Sequence, residues 1–347
     1  MVKKIIQLVL FLGLGIFFVW FSVKDLTSED IEIIKVSAKG VLNPQSLFFL
    51  FLSMAFGATA HYFRALRNIL LIDPLGYHVR RTTAFYSIMT CYLANLAVPR
   101  LGEVLRCTLI QRYDQVPFQK SFGTVVVDRV FDLLVFGMLF LLVIFLNKHL
   151  LSKLVINEEG VTLGVWVNEK LMMLWSMKYI IAGVIIGLVV ILLIVRHIKI
   201  KRTNKRESKI VGKIKNIAAG LWQGLISVKD LKQPYLFIIY TVAIWVFYYL
   251  GIYSCFFAFD FLQGFGFMPA FVVMIVGTIG FIIAQAGLGA YPLIVAGVLA
   301  LYGVDYAQGL AAGWIGWTAQ QLMVLVVGVA SLILASFLKV EDRTIKK

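Results

Sequence analysis

Arg100, Glu103 and Arg106 stand three positions apart, beside Pro99 and Gly102 and between two long apolar stretches. On a helix these positions fall on roughly one side. Glu103 can pair with either arginine and leave the other free. A free guanidinium presents a planar fork that binds oxyanions bidentately, so phosphate contact is one use of this group. The other is a salt bridge that closes the local loop and binds nothing. A second cluster follows at Asp128, Arg129 and Asp132. Asp128 and Asp132 share a helical face, and Arg129 can reach Asp132. Two carboxylates on one face could carry protons or act as acid and base. They could also neutralise the first cluster, joining both into one buried charge network, which is the arrangement we expect. A plain location at the membrane interface is the third possibility.

These charges lie in a chain that is 61% hydrophobic and only 15% charged over 347 residues, with a mean hydropathy of +0.89. Soluble domains are far more polar. Windows of about 18 or more apolar residues are long enough to cross the ~30 Å hydrocarbon core. We therefore expect an all-α, polytopic integral membrane protein. A β-barrel is excluded by the continuous rather than alternating apolar runs. Ionisable residues at membrane depth cost several kcal/mol unless paired or wetted, and so mark a functional site.

Apolar segments fall at about 5–23, 46–63, 83–98, 122–146, 179–195, 235–259, 268–285, 289–303 and 311–338. The first follows Met1-Val-Lys-Lys and is succeeded by Lys24-Asp25 rather than a small-residue cleavage site, so an uncleaved transmembrane helix is expected. Arg64, Arg67, Arg80 and Arg81 are assigned to a basic loop after 46–63. Residues 196–232 carry eleven Lys/Arg against Glu207 and Asp230, a net of +9. The positive-inside rule puts this loop, and the N-terminus, on the cytoplasmic side, and we expect a multi-pass protein of the plasma (inner) membrane. Ile210 to Leu231 has a helical apolar pattern that could lie along the inner leaflet, though a solvated loop explains it as well. The overall net charge of +15 sits largely in loops, which points to topology and anionic lipid surfaces rather than nucleic acid.

Loop polarity works only if 122–146 crosses from inside to outside. Segment 83–98 must then enter and return, with its turn near Val98-Pro99-Arg100. Proline removes a donor and restricts the preceding residue. Non-helical backbone at membrane depth needs protein or water around it. In the second half Gln285-Ala-Gly-Leu-Gly-Ala-Tyr-Pro292 interrupts an apolar run with Gly287, Gly289 and Pro292. Paired interrupted segments in corresponding halves are a pointer to a transport site built from inverted repeats. Close helix packing also explains such glycines. Trp314, Trp317 and Tyr291 read as interfacial anchors, and Gln320 and Gln321 as interhelical hydrogen-bonders.

Hydrolase and nucleotide-binding signatures (G-x-S-x-G, H-E-x-x-H, the P-loop) do not occur in the sequence. Cys91, Cys107 and Cys255 lack C-x-x-C spacing, and the four histidines are scattered. We expect no disulfide framework, no metal, no cofactor and no catalytic residue.

The pattern Asn95-x-x-x-Pro99-Arg100-x-Gly102-Glu103-x-x-Arg106, then Asp128-Arg129-x-x-Asp132, then Gly287-x-Gly289, resembles the lysylphosphatidylglycerol synthetase-type transmembrane domain family. The resemblance covers about residues 5 to 338. In that family the membrane domain can be fused to a soluble aminoacyltransferase domain. Here nine residues follow the last apolar segment, so the resemblance implies the translocating half alone. Many members carry Pro-Gly-Gly-x-Gly with a Glu shortly after. The stretch at 285–292 lacks that Pro, one Gly and the Glu, so no role of the Glu transfers to this chain.

The resulting expectation is a single membrane domain over 1–347, with about seven or eight spanning or broken helices and two re-entrant elements, possibly an inverted repeat. It would be a flippase moving an anionic phospholipid or polyprenyl-phosphate-linked lipid between leaflets. Arg100 and Arg106 would bind the headgroup phosphate, with Asn95, Glu103, Asp128, Arg129 and Asp132 holding or gating the site. Pro99, Gly102, Gly287, Gly289 and Pro292 would shape the breaks. Two alternatives stay open: a membrane transferase on a lipid-linked substrate, or an accessory subunit that recruits an envelope-synthesis enzyme.

Overall fold

The computed structural model describes residues 13, 16–24, 26–147, 222–223 and 227–340. The chain divides into two units, Met1–Phe140 with Asn216–Lys347, and Leu141–Lys215. The second is described only at 141–147. The expected segment 179–195, the loop 147–178 beyond Asn147, most of the +9 loop and the first part of the expected segment 5–23 lie outside the described residues.

The described secondary structure is helical: α1 (Ser28–Gly40), α2 (Pro44–Ile72), α3 (Arg81–Ala97), α4 (Leu101–Asp114), α5 (Phe118–Leu146), α6 (Pro234–Phe256), α7 (Phe267–Ile283), α8 (Ala290–Leu301) and α9 (Tyr306–Ser336). Polar residues cap the starts. Asn43 accepts from the Ser46 N–H ahead of α2, and Asp305 accepts from the Gln308 N–H ahead of α9. Thr27 and Asp30 form a reciprocal capping box on α1. The Thr27 N–H and hydroxyl hold the Asp30 carboxyl below its usual range.

Among the described residues four helical stretches are long and apolar enough to cross a membrane: Pro44–Leu75, Phe118–Leu146, Pro234–Phe256 and Tyr306–Ser336. Their outer faces show what solvent they fit. Leu133, Leu134 and Met138 on α5, and Leu325, Val326 and Ile333 on α9, are exposed. Such rows of bare aliphatics belong against lipid. This is a polytopic α-helical membrane protein.

The packing gives each helix a direction. α2 and α6 run antiparallel: Phe49 stacks on Phe257, Phe63 on Phe247, and the Arg67 guanidinium lies over Phe237. Gly251 makes the close approach possible, because a Cβ there would sit 3.3 Å from the Ser53 carbonyl oxygen. Leu70 and Leu71 on α2 pack with Val228 and Leu231, so α6 starts at the end where α2 finishes.

α3 and α4 form a hairpin opening at that same end. Arg80 pairs with Asp114 at 2.8 Å, and its Nη2 donates to the Tyr113 carbonyl at 3.1 Å. Its Nη1 donates to the Lys339 carbonyl at 3.1 Å, bringing the tail of α9 there too. α3 has 17 residues and α4 has 14, about 25 and 21 Å of helix, both short of the ~30 Å core. The two helices turn back on each other at Val98–Arg100, the turn position expected from the sequence.

α7 and α8 form a second hairpin from the opposite end. Phe267, at the start of α7, packs against Tyr249 in the second half of α6. α8 returns alongside the first turns of α9, where a Cβ on Gly313 would meet Pro292 at 2.7 Å.

Candidate functional site

α2 carries Arg64 and Arg67 one turn apart, both buried, at 5% and 0% exposure. This corrects the expectation that they belong to a basic loop. The helix does not stop at residue 63 but runs on to Ile72. The apolar run resumes at Ile69-Leu-Leu-Ile72, and that resumption is the sequence signal for a continuing helix.

Facing them, α5 presents Asp128 and Asp132. Arg67 Nε donates to Asp128 at 2.8 Å, and its Nη2 donates to Asp132 at 2.6 Å. Its Nη1 donates to the Thr241 hydroxyl of α6 at 3.3 Å. Arg64 Nη1 pairs with Asp132 and lies 3.7 Å from Asp128. From α4, Arg106 Nη1 reaches Asp128 at 3.4 Å. One buried carboxylate thus meets three guanidinium groups. Burial penalises each charge, and the pairing offsets that penalty only because the ions are in contact. A separate pair joins Arg129 Nη2 to Glu103 Oε1 at 2.8 Å, with the Arg129 side chain 45% exposed.

The two clusters of the sequence are therefore joined across α4 and α5. The partners differ from those helical spacing allowed. Glu103 pairs with Arg129 rather than with Arg100 or Arg106, and Asp132 takes Arg64 and Arg67 rather than Arg129. Spacing predicts neighbours within one helix, but here the nearest opposite charge lies on the next one. His61 joins the rim of the site, its ring packed at a tilt against Tyr92 with centroids 4.2 Å apart and its Nδ1 3.4 Å from the Tyr248 hydroxyl.

Arg64, Arg67 and Arg106 against Asp128 and Asp132 leave one positive charge over. The surplus has a geometric counterpart. Arg106 is 2% exposed, and its Nε and Nη2 have no hydrogen-bond partner among the described residues. Those two N–H groups form one bidentate edge of the guanidinium.

The break that carries α4 follows from Pro99. In a continuing helix the Asn95 carbonyl would accept from residue 99, which has no N–H. The Asn95 side chain spans the gap, its Oδ1 accepting from the Gly102 N–H at 2.8 Å and its Nδ2 lying 3.5 Å from both Glu103 oxygens. Arg100 is exposed, in a left-handed conformation at φ 62°. Gly102 must lack a Cβ, which would overlap the Cys91 carbonyl oxygen. Arg106 is thus inside the network while Arg100 stands at the turn, outside it.

The second break reaches the first. Gln285 Nε2 donates to the Asn95 and Leu96 carbonyls at 3.2 and 3.1 Å. It supplies donors where Pro99 and the turn remove them. Trp317 Nε1 donates to the Ala286 carbonyl at 2.7 Å, holding this break against α9. Gly289, at φ 70°, lies so close to Phe18 and Val19 that a Cβ would sit 2.6 Å from their backbone. Gln320 Nε2 bonds the Ser53 carbonyl and hydroxyl across α9 and α2, the interhelical role expected of it. Beside the charged site, an apolar cavity of about 460 Å3 lies between α5, α6 and α7, with Phe131, Thr241 and Trp245 in its wall.

Residues 4–328 match the family described as the lysylphosphatidylglycerol synthase TM region. The chain belongs to that family. The match spans both broken hairpins and the seven charged residues described above, and it confirms the family resemblance. It places the chain among membrane proteins with lipid-related function. No curated protein and no solved structure matches the chain.

Proposed function

We propose that this protein moves an anionic lipid, either a phospholipid or a polyprenyl-phosphate-linked lipid, between the leaflets of the membrane. The observation that carries the proposal is the unpartnered edge of Arg106 inside a cluster with one positive charge to spare. A buried cation without its full set of partners is costly, and a phosphate supplies both the charge and the acceptors. Arg106 would bind the phosphate through Nε and Nη2. Asp128 holds Arg106 in place, while Arg64 and Arg67, themselves paired with Asp132, hold Asp128. Glu103 and Arg129, at the exposed side of α4 and α5, would meet the headgroup on entry, with Asn95 setting the turn and Arg100 drawing the anion in. The acyl or prenyl chains would stay in lipid.

Both carboxylates of α5 are engaged by arginines, which favours positioning over acid–base chemistry. The proposal takes the chain as one functional membrane domain, with no metal or cofactor. It also places the N-terminus and the 196–234 loop in the cytoplasm of the inner membrane, on the basic charge of that loop. Side-specific labelling of a Lys205→Cys variant in cells tests the orientation.

Transport is tested in proteoliposomes with labelled phosphatidylglycerol, aminoacylated phosphatidylglycerol and a short polyprenyl phosphate. The expected result is leaflet exchange of at least one of them by the wild type, reduced at least ~10-fold in Arg106→Gln, the equivalent of about 1.4 kcal/mol of lost transition-state stabilisation. No exchange of any of the three by folded, inserted protein would refute the transport reading for these lipids.

A further inference from the structure

The polar side chains on the inner faces of α2, α4 and α5 do not end at the charge cluster. Below Asp128, toward the Arg80–Asp114 end, α5 presents Thr124 and Ser121, both fully buried. Positions 121, 124 and 128 follow one helical stripe. Asn68, on the turn of α2 after Arg64 and also fully buried, donates through Nδ2 to the Thr124 hydroxyl at 3.3 Å. The Ser121 hydroxyl lies beside the Cys107 thiol, next in sequence to Arg106. The seven helical steps from Ser121 to Asp128 span about 10 Å of helix axis.

Along this seam the hydrogen-bond inventory does not close. Asn68 Oδ1, Arg64 Nε, and Arg106 Nε and Nη2 are buried without a partner among the described residues, and the buried Ser121 hydroxyl has the Cys107 thiol, a weak partner, beside it. A lone orphan would be unremarkable, but these four on α2 and α4, with the Ser121 hydroxyl of α5, follow one polar seam. They comprise guanidinium donors at one end, an amide oxygen in between and a hydroxyl at the other. Each polar atom left unsatisfied at membrane depth costs several kcal/mol, and buried water typically makes two to four bonds to such groups.

We propose that the seam binds a chain of ordered water molecules linking the Arg80–Asp114 end of the first hairpin to Arg106. The ligand is water itself, with Ser121 and Asn68 as its protein partners between the two ends. Water on the free edge of Arg106 keeps the guanidinium solvated until an anion displaces it. The hydration of the seam does not depend on which solute the protein moves, or on whether it moves one.

The chain carries its own reporters. Cys107 lies in the seam at 0% exposure, and Cys255 lies on α6 at 9%. Solvent exposure alone therefore makes Cys255 the more reactive thiol. Hydroxyl radicals generated by brief X-ray radiolysis arise from bound water as well as bulk water and oxidise the side chains next to it. The full-length protein in nanodiscs would be irradiated in 18O-labelled water, and oxidation at each cysteine followed by mass spectrometry. The expected result is oxidation of Cys107 several-fold faster than of Cys255. A Ser121→Ala variant should slow Cys107 and leave Cys255 unchanged, and because it only deletes a hydroxyl it should fold. Cys107 oxidising no faster than Cys255 in the wild type, or at the same rate in Ser121→Ala, would overturn the proposal. Loss of lipid transport would not, since the readout is hydration.

Discussion

The two broken hairpins share a backbone and differ in everything attached to it. Each opens with a 17-residue helix, α3 or α7. Each helix ends on an extended residue, Val98 at φ −136° and Ala284 at φ −112°, whose N–H still bonds back to the helix. Two positions on, each chain takes a left-handed residue that is not glycine, Arg100 at φ 62° and Ala286 at φ 52°. They enter from opposite ends and meet where Gln285 touches Asn95 and Leu96, the geometry of an inverted pair. The first then continues into Glu103 and Arg106. The second continues through Gly287 and Gly289 into the apolar Ala290–Leu301. A common device for stopping a helix at membrane depth is thus used twice. In one hairpin it aims charged side chains at the interior, and in the other it braces the first.

This division of labour can be broken at several points. The largest effect should come from Asp128→Ala, which leaves Arg64, Arg67 and Arg106 facing one another with only Asp132 between them. Removing one partner of a buried ion pair costs roughly 3–5 kcal/mol. Thermal unfolding in detergent should show a large fall in Tm, or failure to accumulate folded protein. A Tm near wild type would mean the carboxylate is dispensable to the packing.

Gly102→Ala comes next. Its Cβ would overlap the Cys91 carbonyl, so α3 and α4 must part, at a cost of about 1–3 kcal/mol or more by analogy with overpacked cores. Thermal unfolding read beside a Gly297→Ala control, where a Cβ meets nothing within 4 Å, should show a loss for Gly102 alone.

Gln285→Ala removes two hydrogen bonds between the hairpins, a cost of about 1–3 kcal/mol where carbonyls are left buried and unpaired. Its transport defect should be partial and milder than that of Arg106→Gln. Equal defects would put the second hairpin in the site itself. The smallest shift should follow Arg100→Gly. Glycine relieves a left-handed backbone that costs other residues roughly 1–2 kcal/mol, so Tm should rise slightly while anion capture weakens.

Much of this was legible in the sequence. Pro99 and the glycines at 287 and 289 located both breaks. The motif residues marked one wall of the site. Arg64 and Arg67 were misplaced because two arginines within four residues resemble the end of a span. The apolar run that resumes at Ile69–Ile72 argues otherwise, and so do the two carboxylates of α5, which need cations to balance them. Pairing across helices was illegible for a different reason. Spacing along one helix says which side chains share a face, but not which helix that face meets. Gln285 shows the same limit: the carbonyls it satisfies lie about 190 positions away.

The most direct test of the central claim is lipid binding by native mass spectrometry. Wild type, Arg106→Gln and Gln285→Ala would each be offered phosphatidylglycerol and a diacylglycerol of the same chain length. The account predicts that wild type and Gln285→Ala prefer the phosphate-bearing lipid and that Arg106→Gln loses the preference. An undiminished preference in Arg106→Gln would contradict it and remove the phosphate from the first hairpin.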